Sequence, residues 1–358
     1  MSNPFSGIPD LIADPSLSFH QQLRQAAEWL QGLCQRGNFN GTVLISEDGK
    51  VAFEQHYGFA DVAGAIPLTA HSSFSVASVS KQFTGMAMML LAHRQRLSLD
   101  DALARYVPEL AFYRGITIRH LLHHTSGLPD YMRLAEAHRD GRAPVTAQDV
   151  VQLLQQYGPP VAFRPGDEFE YSNTGYALLE VVLTRVSGQS YPDFMKVEIF
   201  DPLGMTDSSA FNLSSAECCL QQRVFGCRAT LAGFGSRELF DLNFLDGVYG
   251  DGGIYSSARD LVRWDQALRE GSLIPVNVYQ EAYVPGRLNN GAATGYGFGW
   301  EIVSAEVVEH WGEWQAFSAL VRRDLARRTL LVVLSNLAPS SRVDAICKEL
   351  SMFVDDIT

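Results

Sequence analysis

Ser78 and Lys81 stand three positions apart in Ser78-Val79-Ser80-Lys81. On a helix that spacing puts both side chains on one face. A serine hydroxyl is a poor nucleophile near neutral pH and needs a base within hydrogen-bond reach. A lysine amine can be that base if burial lowers its pKa. A serine in the first helical turn would also lie near free backbone N–H groups, which favour developing negative charge. The plainer reading of the same four residues is a helix start capped by Ser78. Two further groups, far along the chain, could complete a proton-transfer site. In Tyr171-Ser172-Asn173 the phenol could pass a proton to a leaving group, helped toward the phenolate by a neighbouring cation. Asn173 could offer its amide to a substrate carbonyl or to the lysine. In His310-Trp311-Gly312 the imidazole could present a proton or a positive charge, and Gly312 would let a substrate approach the backbone. Their plainer readings are a turn before a helix and a half-buried strand histidine.

The elements that would hold these residues follow from periodicity. Leu23, Ala26, Ala27, Leu30 and Cys34 predict an amphipathic helix over about residues 17–36. Two β-rich runs between Gly41 and Gly58 flank Asp48–Gly49, a hairpin signal. Helical patterns fill the middle: after Ser78, and over Ile116–His124, Thr146–Tyr157 and Tyr176–Val186. Residues 206–250 read as long loops around a site. Strand signals return at Tyr296–Val303, Glu306–His310, Phe317–Arg322 and Thr329–Leu334, before a last helix carrying Val343, Ile346, Cys347, Leu350 and Phe353. This order predicts an α+β fold. An antiparallel sheet is completed by both chain ends, flanked by the N- and C-terminal helices, with a mostly helical lobe inserted.

In combination and order, S-x-x-K, Y-x-N and H-x-G resemble the motifs of the serine β-lactamase and penicillin-binding-protein-like hydrolases. The branch in question contains class C β-lactamases, D-stereospecific peptidases and family VIII carboxylesterases. Further residues carry the resemblance: Phe74-Ser75-Val76-Ala77 before Ser78, Leu121-Leu122-His123-His124-Thr125-Ser126-Gly127-Leu128, and Arg164-Pro165-Gly166. So do Gly252-Gly253-Ile254-Tyr255-Ser256-Ser257-Ala258-Arg259-Asp260-Leu261 and Tyr296-Gly297-Phe298-Gly299-Trp300. Such motifs recur in related penicillin-recognising enzymes.

The resemblance implies a β-lactamase/transpeptidase-like fold over one catalytic domain, residues 15–358. Its sheet lobe would take residues 15–77 and 245–358, and its helical lobe residues 78–244. It implies Ser78 as nucleophile, Lys81 as its base or proton partner, and Tyr171 as general base and acid. Asn173 matches a substrate-contacting amide. The N–H groups of Ser78 and Glu313 would form the oxyanion hole beside Gly312. His310 stands where many relatives carry the lysine of a K-T-G motif, and Trp311 fills the middle position. That departure points to a carboxylesterase cutting esters through an acyl-Ser78 intermediate. A D-amino-acid peptidase or amidase is the alternative, then a weak β-lactamase. Outside enzymes, the rival is a sensor or scaffold that acylates without turning over.

Composition narrows the remaining classes. The 358 residues are 46% hydrophobic and 19% charged, with a net charge of −12. That is ordinary for a soluble protein, and the acidity argues against nucleic-acid and anionic-membrane partners. The expected partner is a small-molecule ester, amide or β-lactam. The N-terminus has no basic and apolar leader pattern, and no window holds the roughly 18 apolar residues of a membrane span. Five cysteines, Cys34, Cys218, Cys219, Cys227 and Cys347, show no disulfide or zinc spacing. Together these predict free thiols and a cytoplasmic location. His120, His123 and His124 have helical spacing but no accompanying H-E-x-x-H or carboxylate ligand, and no nucleotide-binding loop is present. No metal or cofactor is expected. There is no G-x-S-x-G elbow of an α/β-hydrolase either.

Overall fold

The structure is a computed structural model that describes residues 7–61, 66–213, 215, 222–229 and 237–357. Its frame is a six-stranded antiparallel sheet built from the two ends of the chain. Strands β1 (Gly41–Glu47) and β2 (Lys50–Tyr57) form a hairpin. Asp48 and Gly49 both take positive φ at its tip, 49° and 76°, as a tight two-residue turn requires. From the C-terminal part come β3 (Glu301–Ile302), β4 (Val307–Trp314), β5 (Phe317–Asp324) and β6 (Thr329–Ser335). The spatial order is β2-β1-β6-β5-β4-β3, with Gly41 opposite Ser335 and Glu47 opposite Thr329.

Strand side chains alternate between faces, and here each face has its own core. Val43, Ile45, Leu331, Val333 and Leu320 meet helices α1 (Phe19–Gln35) and, near the C-terminus, Ser340–Ile357. The intervening Leu44, Leu330, Val332, Leu334, Ala319 and Val321 face a second core with the inserted helices. Central strands buried on both faces need continuous apolar sequence. Val43-Leu44-Ile45 and Leu330 to Leu334 supply it.

At the centre of the second core runs α2 (Lys81–His93), whose residues from Lys81 to Leu91 are all buried. A helix apolar on all sides is a core helix, and its first residue is the motif lysine. Two further helices pack near it, α3 (Ala147–Tyr157) and α4 (Asn173–Ser187). Helix α5 (Ala258–Glu270) joins this layer to the sheet: Arg323 of β5 donates to Asp265 at 2.6 Å, with both side chains buried. Removing one partner of such a pair strands a buried charge and typically costs about 3–5 kcal/mol.

Several elements differ from the sequence expectation. Tyr296–Val303 is a strand only at Glu301–Ile302, with Tyr296 forming a single bridge to Glu301. Gly299 has φ +77°, and an added Cβ there would meet the Lys81 carbonyl at 2.5 Å, so this glycine turn wraps the start of α2 instead of extending. The helix expected from Tyr176 begins at Asn173, because the Ser172 hydroxyl accepts from the Gly175 N–H. The segment expected over Ile116–His124 shortens to Ile118–Leu122. Residues 206–250 carry short strands at Ser209–Ala210, Cys227–Ala229 and Arg237–Leu239. Cys34, Cys227 and Cys347 are free thiols, whereas Cys218 and Cys219 lie outside the described residues. Among the described residues no helix is long and apolar enough to cross a membrane.

Candidate active site

Ser78 lies in a 3-10 turn, Ala77–Ser80, that feeds into α2 rather than in the α-helix itself. The turn is held on two sides. Val76 donates to the Ile254 carbonyl at 3.0 Å, and the Ser80 hydroxyl accepts from the Ile254 N–H at 2.9 Å. Ala77 sits at φ +46°, an uncommon conformation for alanine that tight surroundings must hold. Strand β4 presses on the same turn. A Cβ on Gly312 would lie 2.2 Å from the Val76 carbonyl and 3.1 Å from the Ser78 nitrogen, so only glycine permits this approach. The neighbouring serine of the motif is thereby structural, and Ser78 is the one left partly open.

Lys81 is fully buried. Its Nζ lies 3.1 Å from Ser78 Oγ, 2.8 Å from Asn173 Oδ1 and 2.7 Å from the Asp251 main-chain carbonyl. Desolvation lowers its pKa to about 7, partly offset by the Asp251 charge. Two of the three partners are carbonyl oxygens, which can only accept. A neutral amine therefore spends both N–H bonds on Asn173 and Asp251, and its lone pair is left facing the Ser78 hydroxyl.

The Tyr171 ring centroid is 4.9 Å from Lys81 Nζ. Tyr171 keeps 41% of its surface open, yet its phenol is held above the ordinary tyrosine range, chiefly by desolvation. The nearby Ser78 hydroxyl works the other way and does not prevail. The expectation that a cationic neighbour favours the phenolate is thus not met in the direction of the shift, which desolvation sets. His124 packs beneath it at 4.3 Å between ring centroids and accepts the Ser172 N–H at its Nδ1.

His310 also requires correction. It is buried, its Nδ1 lies 2.6 Å from the Trp311 carbonyl, and its Nε2 lies 2.7 Å from the Tyr296 hydroxyl. A carbonyl cannot donate, so Nδ1 carries the proton and Nε2 accepts from Tyr296. Burial first, then the Lys81 charge, pushes the pKa down to about 3. The ring is a neutral, doubly bonded core group, not a cation presented to a ligand. What β4 brings to Ser78 is its backbone at Gly312. The Glu313 side chain accepts from Ser340 on the opposite face of the strand, so at the edge of the adjacent pocket the residue counts through its backbone.

Two positioning groups escaped the motif reading. Asp251 supplies a main-chain carbonyl to Lys81, while its carboxylate accepts from the Tyr131 hydroxyl at 2.9 Å. Glu180 accepts the N–H groups of Tyr249 and Gly250, each at 2.8 Å, and so fixes the turn that carries that carbonyl. Burial raises the Glu180 carboxyl to about 8. A signal for it existed: a lone acid inside the apolar run from Tyr176 to Leu183. The three histidines His120, His123 and His124 go to separate partners, the Thr117 N–H, the Tyr296 carbonyl and the Ser172 N–H.

A family model described as Beta-lactamase matches residues 23–353. Penicillin-binding protein 4* of Bacillus subtilis (strain 168) is 37% identical over 314 residues, covering 85% of this chain and 69% of that protein. Among solved structures, the D-amino acid amidase from Ochrobactrum anthropi SV3 complexed with L-phenylalanine amide superposes with a TM-score of 0.73. It is 22% identical and covers 94% of this chain and 99% of its own. EstCE1, a hydrolase with promiscuous acyltransferase activity, gives a TM-score of 0.70 at 24% identity, over 90% of this chain and 95% of its own.

Proposed function

Because the chain belongs to the beta-lactamase family, we propose that it hydrolyses a small ester or amide through an acyl-enzyme on Ser78, with esters the faster substrates. One observation carries this reading: Lys81 Nζ is tied to two carbonyls and lies 3.1 Å from Ser78 Oγ. The amine takes the Ser78 proton as Oγ attacks the substrate carbonyl. The oxyanion is received by the N–H groups of Ser78 and Glu313, and donors of this kind typically contribute about 3 kcal/mol each. Tyr171, a phenol near both groups, relays the proton to the leaving group. Water then attacks the acyl carbonyl and frees Ser78 by the reverse path. Esters are favoured over β-lactams because His310 offers no cation to a substrate carboxylate.

The leaving group supplies the test. A phenolate departs with little help, whereas an amine must be protonated as its C–N bond breaks. In steady-state assays on p-nitrophenyl esters and matched p-nitroanilides, Tyr171→Phe is expected to slow the anilides at least about tenfold more than the esters, within the range typical of a lost acid. Equal loss on both would remove Tyr171 from the proton relay. Continued release beyond one equivalent separates an enzyme from a sensor that acylates once.

A further inference from the structure

Proton transfer from Ser78 leaves an ammonium on Lys81, a side chain with no exposed surface. A charge buried in that way needs a counter-charge. The hydrogen-bond partners of Nζ do not supply one: the Ser78 hydroxyl, the Asn173 amide and the Asp251 main-chain carbonyl are all neutral. Nor do the rings of Tyr171 and Tyr176, whose centroids lie 4.9 and 5.5 Å away. His124 and His310 both feel the Lys81 charge, and burial holds both well below the usual histidine range. The remaining group is the Asp251 carboxylate, on the wall of the pocket that opens beside Ser78. Its charge is the one that works against desolvation at Lys81.

The carboxylate is held in place by a brace. Its Oδ2 accepts from the Tyr131 hydroxyl at 2.9 Å, and the Tyr131 N–H donates to Thr174 Oγ1, also at 2.9 Å. Tyr131 thereby ties Asp251 to the residue beside Asn173, joining the two carbonyl partners of Lys81. The turn before Asp251 is fixed as well: Glu180 takes the Tyr249 and Gly250 N–H groups, and the Gly250 carbonyl accepts from Thr84 of α2 at 2.7 Å. Covalent geometry keeps a carboxylate within roughly 5 Å of its own carbonyl oxygen, and here that oxygen is 2.7 Å from Nζ. The charge is therefore near Lys81 without being one of its contacts. A carboxylate touching Nζ would hold the proton there and cost Ser78 its base, whereas one a few ångströms off supports the ammonium and leaves the lone pair to Ser78. The other titratable groups facing Asp251 are the carboxyls of Asp130, Glu180 and Asp246 and the phenols of Tyr171 and Tyr191. Burial raises Glu180 to about 8 and Asp246 to about 7, but Asp251 only to about 6, because Lys81 and Tyr131 oppose it. Of these three, Asp251 is the most ionised at neutral pH.

We propose that the Asp251 carboxylate, braced by Tyr131, is a positioning residue that acts through Lys81 as the fixed counter-charge of the ammonium formed when Ser78 attacks. In that step the Oγ–H bond breaks and its proton goes to Nζ. Oγ bonds to the substrate carbonyl carbon, and the displaced electron pair rests on the oxyanion. Asp251 keeps its charge and takes no proton. The proposal rests on Lys81 being the base of the acyl-Ser78 reading above.

The test is the pH profile of kcat/KM on a non-ionising ester for the wild type and Asp251→Asn. Asparagine keeps the main-chain carbonyl and an oxygen for the Tyr131 hydroxyl, and removes the charge. Loss of a negative charge disfavours the ammonium, so the acid limb should move down by at least about one pH unit from its wild-type position near 7. The plateau above the limb should fall about tenfold, because a weaker base takes the proton less readily. The loss is thus largest at high pH and shrinks as pH falls. A limb that stays in place or moves up would overturn the proposal and leave Asp251 a purely structural role. An arm that needs no turnover reads Lys81 directly, by ε-13C lysine NMR on Ser78→Ala with and without Asp251→Asn. The other lysines, Lys50, Lys196 and Lys348, are exposed, so the Lys81 signal stands apart. Its midpoint should drop by at least about one unit when the carboxylate is removed, and equal midpoints contradict the proposal. Asp251→Ser, smaller and also neutral, replaces Asp251→Asn in both arms if thermal melts show that the latter does not fold. If no ester is cleaved and no adduct forms on Ser78, the hydrolase reading fails, and the NMR midpoints still decide whether Asp251 is the counter-charge of Lys81.

Discussion

Replacing Ser78 with alanine is expected to lower kcat/KM roughly 10⁴-fold or more on every ester and amide that the protein cleaves. Losses of that order follow when the nucleophile of a concerted group is removed. The fold should survive. Ser78 is partly exposed, and its hydroxyl touches Lys81 rather than the groups that hold the turn. Those groups are Val76, Ser80 and the Gly312 backbone. Ser80→Ala is the matched control with the opposite signature. It leaves the buried Ile254 N–H without an acceptor, a loss worth about 1–3 kcal/mol of stability. It removes no reacting atom. Steady-state kinetics beside thermal melts distinguish the two. A Ser78→Ala protein with more than a few per cent of wild-type turnover would mean that another group attacks.

The second large effect is expected at Lys81, where kcat/KM should fall about 10²–10⁴-fold in Lys81→Met, the range of a lost general base. Methionine matches the length of the lysine stem and suits the buried site. The pH profile tests the role rather than the packing. A base acts when it is neutral, and burial sets Lys81 near 7 instead of its usual 10.5. Activity of the wild type on a non-ionising ester should therefore fall as pH drops through about 7, approaching tenfold per unit below it, and level off above. No alkaline limb from Tyr171 should appear below pH 10, because its phenol is raised, not lowered. In Lys81→Met the acid limb near 7 should vanish along with most of the rate. A limb that persists unchanged in the variant would assign it to another group, and Lys81 would not be the base.

Much of this arrangement could be read from the sequence, for identifiable reasons. Strands β1, β5 and β6 carry apolar residues on both faces, so their burial was written into every position. The spacing of Ser78 and Lys81 survives as a contact because a helical turn and the α2 start lie between them. What could not be read were properties owned by the backbone or by remote packing. The Asp251 partner of Lys81 is a carbonyl, and a carbonyl has no residue type. Strand propensity at Tyr296–Val303 lost to glycine geometry over Lys81. The neutrality of His310 depends on Tyr296 reaching it and on complete burial, neither of which its own neighbours in sequence announce. The pocket wall comes from segments around 211 and 242–253, whose weak periodicity predicts only that they are loops.

The most direct measurement of the central claim is the site of the covalent intermediate. The wild-type protein is mixed with a slowly released acyl ester or a β-lactam, quenched in acid, and read by intact mass and then by peptide mapping. The expected result is one acyl group per chain, carried by Ser78, and no such mass on Ser78→Ala. An adduct on Ser80 or Ser126, or turnover with no adduct under conditions that trap it in related hydrolases, would contradict the account.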